Sequence, residues 1–282
     1  MLEGAICIDF WHGIPLKKII YDDNERWMKI DLSKLTHKLW NIMRPKEDYF
    51  IVNGDFEQKC YTTAFVMPKE KIKVIGSPRA DVLLHDFPNE DLCMEKDFKN
   101  IKNLKQNGKK IFIYMPTYRD SGKDISGWLK SDRLHKFLQE NNSILVCKLH
   151  PNDDNVLDFE YTDSFYKMNN KSDIYPVLKY SDALITDYSS VYYDYLLLDK
   201  PILYYPIDIE EYEASRGFYE PYEELTAGAK ADNEEELINA MQDVINGVDN
   251  YKEKRKVLCD RMFKYQDGHN CERVLDWIKT LG

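Results

Sequence analysis

Short apolar runs alternate with longer amphipathic stretches along the whole chain. The runs fall at residues 5–10, 49–52, 73–75, 110–115, 143–148, 183–186 and 201–205. Within each, the apolar residues are nearly continuous rather than alternating, which suits strands of a parallel sheet covered on both faces. Helical spacing appears between them, at residues 131–141 ahead of SILVCKL and at residues 191–198 ahead of PILYY. This strand–helix–strand rhythm predicts an α/β fold.

The pattern also predicts a division. Residues 81–110 are charged and helix-like, and the helical part stops at Asn107-Gly108 before the fresh strand KIFIYMP. The segment from Lys109 to about Met262 carries at least four strands and has the content of a whole nucleotide-binding Rossmann-like domain. The segment before it carries three and is incomplete. The predicted organisation is a partial N-terminal domain at 1–85, a nucleotide-binding domain at 86–262 and a terminal helix at 263–282. In that last helix, apolar residues at 274, 275, 278 and 281 form one stripe.

Composition narrows the function classes. The formal net charge is −10, whereas nucleic-acid binding draws its affinity from Lys and Arg neutralising phosphates. DNA and RNA are therefore excluded as expected partners, while a small phosphorylated ligand needs only a local pocket of donors. The six cysteines form no CxxC pair and no zinc spacing, so reduced, buried thiols are expected. The N-terminus lacks a basic region followed by a long apolar core, and no run approaches the ~20 residues of a membrane helix. A soluble or peripheral protein is expected.

Five segments could carry chemistry, and each has a plainer alternative. In open α/β sheets, ligands bind beyond the carboxyl ends of strands. His12 in FWHGIPLKK follows the first strand, where a histidine suits general-base work near neutral pH. Gly13 beside it permits close backbone approach; a structural loop histidine is the alternative. In YMPTYRD, Thr117 offers a hydroxyl and Arg119 a fork of donors suited to phosphate, unless Arg119 is a surface partner of Asp120. In CKLHP, Lys148 and His150 stand at a strand end halted by Pro151. There His150 meets a diphosphate or a leaving-group charge, or is a satisfied edge histidine.

The fourth segment carries the most information. The strand ALIT runs into Asp187-Tyr188-Ser189-Ser190, and a helix follows. Serine is a preferred N-cap, and helix N-termini bind phosphates through free N–H groups. Ser189 and Ser190 form a candidate diphosphate cradle; simple capping accounts for one serine but less naturally for both. In the fifth, GSPRAD, Arg79 lies near the domain junction, where ligands collect, or pairs with Asp81. HExxH, GxGxxG and GxxxxGK[ST] are all absent, and no carboxylate cluster marks a metal site.

Taken together, WHGIPLKKI, GSPRADVL, YMPTYRD, KLHP, the block SDIYPVLKYSDALITDYSSVYYDYLLLDKPILYYPIDIEEYEASRGFYEPYE and the closing DGHNCERVLDWI resemble the CDP-glycerol:poly(glycerophosphate) glycerophosphotransferases and their ribitol-phosphate relatives. The segments occur in the family's order from about Trp11 to the end, and the ITDYSS block is the specific one. The resemblance implies an α/β fold of GT-B-like architecture. In it, two Rossmann-like domains flank a donor cleft and the N-terminal one is incomplete here. By motif, Trp11, His12, Gly13, Ile14 and Pro15 match the WHGxP segment with His12 as base. Arg79 matches GxPRxD, and Pro116, Thr117 and Arg119 match PTxR. Lys148 and His150 match KxHP, and Ser189, Ser190 and Asp194 match TDYSSxxxD. Two departures stand out: the family usually has much more sequence before WHG, and the region after RGFYEPY continues here as EELTAGAK rather than toward a Pro-Gly turn.

The implied reaction is attack by a hydroxyl of a lipid-linked polyol-phosphate acceptor on the β-phosphorus of CDP-glycerol. His12 takes the proton, and Arg79, His150 and Ser189-Ser190 stabilise the phosphates as CMP leaves. No metal or other cofactor is expected, and the implied location is peripheral, on the cytoplasmic face of the membrane. Residues 29–46 hold five basic residues against one acid, with Leu, Ile and Met at roughly helical spacing and Trp40 beside them. They are the candidate membrane dock, or a helix that packs its apolar face on its own domain. A nucleotide-sugar glycosyltransferase of the same architecture and an inactive truncated nucleotide-binding relic are the rival readings.

Overall fold

The computed structural model describes residues 5–23, 47–92, 94–119, 127–149 and 162–282. Among them, two parallel sheets form. The first runs β1 (Ile8–Asp9), β2 (Tyr49–Val52), β3 (Ile72–Val74), in that spatial order. The second contains β4 (Lys110–Met115), β5 (Ser143–Cys147), β6 (Phe165–Lys167), β7 (Ala183–Thr186), β8 (Ile202–Tyr204) and β9 (Ala229–Lys230). Its spatial order is β6-β5-β4-β7-β8-β9, with every pairing parallel.

The near-continuous apolar runs have the expected cause. Along β4 and β5, Ile111, Ile113, Ile144 and Val146 enter one core cluster, while Phe112, Tyr114, Leu145 and Cys147 enter the other. Successive side chains point to opposite faces, and helices cover both. Phe98, Ile101 and Leu104 of the Glu95–Gln106 helix pack on the first face. Leu134 and Leu138 of the Asp132–Glu140 helix, with Leu237 and Met241 of the Glu234–Ile245 helix, pack on the second. Ser131 caps the Asp132–Glu140 helix by accepting from the N–H groups of Arg133 and Leu134.

Counted in chain order, the second sheet reads 3-2-1-4-5-6, the Rossmann order, and its topological switch point lies between β4 and β7. Everything beyond the carboxyl ends of those two strands, Pro116–Arg119 and Asp187–Ser190, faces the place where such sheets bind ligands. The first sheet has three described strands.

Several expectations need correction. The first strand is two residues long rather than six, and Ile6 and Cys7 before it are exposed. Strands β6 and β9 carry no apolar run: FYK sits among polar neighbours and AK is only two residues long. Residues 191–198 form a five-residue α-helix, Val191–Tyr195, and then a 3-10 turn. Of the cysteines, Cys60, Cys147 and Cys259 are buried but Cys271 is exposed. Residues 24–46, with the whole of the candidate membrane helix, lie outside the described residues. Among those described, no helix is long and apolar enough to cross a membrane.

The terminal helix, Asn270–Lys279, departs furthest from its pattern. Only Val274 of its stripe is buried; Leu275 and Ile278 are 54% and 40% exposed. Polar groups dock it instead. Asp81 accepts hydrogen bonds from the backbone N–H of Asn270 (3.0 Å) and Cys271 (2.8 Å), capping the helix from 189 residues away. Gly76 lies flush against Asn270, so a Cβ there would stand 2.0 Å from its Oδ1. The Trp277 ring packs edge-on against Tyr49 at 5.1 Å. The chain end thus returns to the first sheet. Asp81→Ala is expected to lower stability by about 0.5–2 kcal/mol, the cost of a lost cap, read as an earlier midpoint in urea; an unmoved midpoint would show that other contacts hold the helix.

Candidate functional site

The first wall of the site is the loop after β1. Trp11 takes a positive φ of 50° and donates its N–H to Asp9 at 2.6 Å. Its ring sits edge-on to Phe65 at 4.9 Å and 4.3 Å from the His12 ring. Trp11 is half-buried, which leaves His12 exposed. Gly13 has φ 133°, and a Cβ there would stand 2.6 Å from Nη2 of Arg79. Its carbonyl accepts the Tyr61 hydroxyl at 3.1 Å. Ile14 and Pro15 are buried and turn the chain inward. All five residues of WHGIP line a cavity of about 560 Å³ that Ser190 enters from the opposite sheet. Of the serine pair, Ser190 thus shares a cavity with His12, and Ser189 does not line it.

Arg79 sits on the short turn Pro78–Ala80 after β3. The turn is held by Asn53, whose Oδ1 accepts the Ser77 N–H at 2.9 Å. Asn53 is held in turn by Glu57, whose Oε2 accepts both its N–H (2.7 Å) and its side-chain amide (2.9 Å). Glu57 is buried, and burial raises its pKa against the pull of these hydrogen bonds and of Arg79. Arg79 does not pair with Asp81. Its Nε lies 3.2 Å from Oδ2 of Asp194, on the Val191–Tyr195 helix of the other sheet. Burial is the largest influence and disfavours the guanidinium charge, but Asp194, Tyr175, Glu57 and Tyr61 together outweigh it and the pKa is raised. The same Asp194 oxygen accepts the Tyr175 hydroxyl at 2.5 Å. Nη2 of Arg79 is buried with no hydrogen-bond partner and lies against Gly13. An unpaired buried donor is costly, and here it stands at the cleft.

The second wall is the switch point. The Thr117 N–H donates to Oδ1 of Asp187 at 2.8 Å, so the ends of β4 and β7 are bolted together. The Thr117 hydroxyl is buried without a partner; Pro116 precedes it, half-buried. Ser189 and Ser190 are half-buried, and neither hydroxyl bonds another described residue. Ser190 occupies the N-cap position in a helical conformation, φ −61° and ψ −11°, and makes no side-chain cap. The plain capping explanation for these serines therefore fails, and their hydroxyls are available to a ligand.

Arg119 and Lys148 bond to other parts of the protein. Arg119, 7% exposed, is enclosed by protein acceptors. Its Nε donates to Asp208 (2.7 Å), its Nη2 to Asp187 (2.8 Å) and Asp208 (2.9 Å), and its Nη1 to the Thr117 carbonyl (2.6 Å). Four of five N–H donors are engaged, and the guanidinium lies 5.1 Å from the rings of both Tyr188 and Tyr212. It braces the loops after β4 and β7 from behind. Lys148 donates its ammonium to the carbonyls of Asn169 (2.8 Å) and Asn170 (2.7 Å), and burial lowers its pKa. It fixes the turn after β6. His150 and Asp120 lie outside the described residues.

Sequence reasoning missed Asp187, Tyr175, Glu57 and Tyr61 as parts of the site. Asp187 and Tyr175 stood inside the most informative block. Glu57 and Tyr61 gave no signal, because in FEQKCYTTAF they look like one polar and one apolar helix position. Among the described residues, no three His, Cys, Asp or Glu side chains are grouped to hold a metal ion.

The sequence profile of the CDP-glycerol:poly(glycerophosphate) glycerophosphotransferases matches residues 2–280. The chain belongs to that family. It is 30% identical over 279 residues to the teichoic acid glycerol-phosphate primase of Bacillus subtilis, covering 98% of this chain and 68% of the relative. It is 30% identical over 233 residues to the teichoic acid ribitol-phosphate polymerase TarL of Staphylococcus aureus, covering 79% of this chain but 40% of the relative. The solved structure of the wall teichoic acid polymerase TagF superposes with a TM-score of 0.79 at 27% identity, over 99% of this chain and 69% of that one. The family's two-domain α/β architecture is thus present, and the chain spans between two fifths and about two thirds of these relatives.

Proposed function

We propose that the chain transfers a polyol phosphate, glycerol phosphate in the first instance, from a CDP-polyol to the terminal hydroxyl of a lipid-linked polyol-phosphate acceptor. The supporting observation is the cavity that joins His12 to Ser190 across the two sheets. Phosphoryl transfer needs an aligned nucleophile and stabilised phosphate charge more than covalent help from the protein. His12 accepts the proton of the attacking hydroxyl. The new O–P bond forms at the β-phosphorus while the bond to CMP breaks, and CMP leaves with its electron pair. The unpartnered Nη2 of Arg79 and the hydroxyls of Thr117, Ser189 and Ser190 supply the donors around the diphosphate. His150 is assigned beside them by its motif.

The test is CMP release from CDP-glycerol, and separately from CDP-ribitol, with a lipid-linked acceptor. Turnover of a UDP-sugar in their place would make the protein a glycosyltransferase. The cradle has its own test. Replacing Ser189 and Ser190 together with alanine is expected to weaken CDP binding by about 0.5–1.5 kcal/mol per lost hydrogen bond, more where the acceptor is charged. Unchanged affinity would remove the serines from the donor site.

A further inference from the structure

We propose that Lys18, with Arg216 beside it, forms an anion subsite on the acceptor side of His12 that holds a phosphodiester of the polyol-phosphate chain; this rests on the transfer reaction proposed above. The chain carries a net charge of −10, yet the charges on the described wall of the cavity are Lys17, Lys18 and Arg216 against Asp23 alone, with His12 and Ser190 beside them. A cationic cavity in an acidic protein marks where an anion is wanted.

The three cations are not equivalent. Lys17 holds its ammonium over the Tyr212 ring at 5.6 Å. Arg216 lies 3.9 Å from Asp23, at the outer limit of an ion pair. The Lys18 ammonium makes no hydrogen bond or ion pair to any described residue. Its backbone is nonetheless fixed. The Lys18 N–H donates to the Gly217 carbonyl (3.1 Å), the Tyr219 N–H donates to the Leu16 carbonyl (3.1 Å), and Lys17 bridges Phe218 antiparallel between these bonds. Gly217 has φ 65°, and a Cβ there would press on Lys18 Cδ at 3.4 Å. A strap from the first domain is therefore laced to one from the second, and the Lys18 side chain runs along it.

The position assigns the subsite to the acceptor. Of the hydroxyls assigned to the diphosphate, only Ser190 lines this cavity; Thr117 and Ser189 do not. The rest of the described wall is residues 11–20, Asp23 and Arg216, so its cations share one cavity with His12. An acceptor whose terminal hydroxyl meets His12 carries its nearest phosphate one polyol away, and Lys18 lines the same cavity as His12.

The experiment is calorimetric titration of the full chain with a soluble glycerol-phosphate oligomer and, separately, with CDP. Lys18→Ala is expected to weaken oligomer binding roughly tenfold, on the scale of one charge-assisted hydrogen bond. Lys18→Glu should weaken it further, Lys18→Arg should restore it, and CDP affinity should stay at the wild-type value throughout. Oligomer affinity that ignores Lys18, wild-type protein that binds no oligomer, or CDP affinity that falls in step with oligomer affinity would each overturn the subsite. Lys18-dependent oligomer binding in a chain that turns over neither CDP-polyol would keep the subsite and sink the transfer reaction instead.

Discussion

His12→Ala is expected to slow turnover by about 10²- to 10⁴-fold, the usual cost of losing a general base, while CDP affinity stays within error of the wild type. The two readouts separate because the imidazole and the hydroxyls proposed to hold the nucleotide follow strands of different sheets. His12 stands after β1, whereas Thr117, Ser189 and Ser190 follow β4 and β7. His12 is exposed to the cavity and its neighbours are a tryptophan ring and a glycine, so alanine leaves no buried partner unpaired. The fold should therefore survive the change. A variant with full turnover would move the base elsewhere, and one that lost CDP binding in proportion would put His12 on the donor. Single-turnover release of CMP, with CDP binding measured by titration, decides among these outcomes.

Much of the frame was legible before the fold because burial on both faces writes itself as continuous apolar runs. YFIV, KIFIYM and ALIT form strands at the bounds their runs predict. FYK and AK do not, because a short edge strand needs hydrogen bonds rather than apolar side chains. The site splits in the same way. His12, Arg79, Thr117 and the serine pair could be found because each follows a strand directly, and strand ends at a switch point are where ligands go. What pairs with what could not be found. Arg79 meets Asp194 rather than Asp81, and Asp81 instead caps a helix far along the chain. Both facts depend on how two sheets are set against each other, and no local spacing encodes that. The terminal helix shows the converse error. Its apolar stripe is real, but two polar N–H groups at its start and the Tyr49–Trp277 contact fix its place, so Leu275 and Ile278 stay exposed.

The network behind the phosphate loop leads to the largest expected effect on stability. Arg119 is the cation between Asp187 and Asp208, and the three side chains are 6%, 4% and 2% exposed. Such a network gains little over an apolar core when intact, but removing one member leaves charge buried and unpaired, at about 3–5 kcal/mol. Arg119→Met is therefore expected to lower the melting temperature by on the order of 10 °C. A further consequence distinguishes this role from direct phosphate contact. Asp187 also accepts the Thr117 N–H, so the loss of its counter-cation should loosen the junction of β4 and β7 and expose it to hydrogen exchange without ligand present. A variant that melts with the wild type at neutral pH yet binds CDP weakly would return Arg119 to the ligand. A variant that melts early and exchanges faster at the β4–β7 junction places it in the scaffold behind Thr117, Ser189 and Ser190.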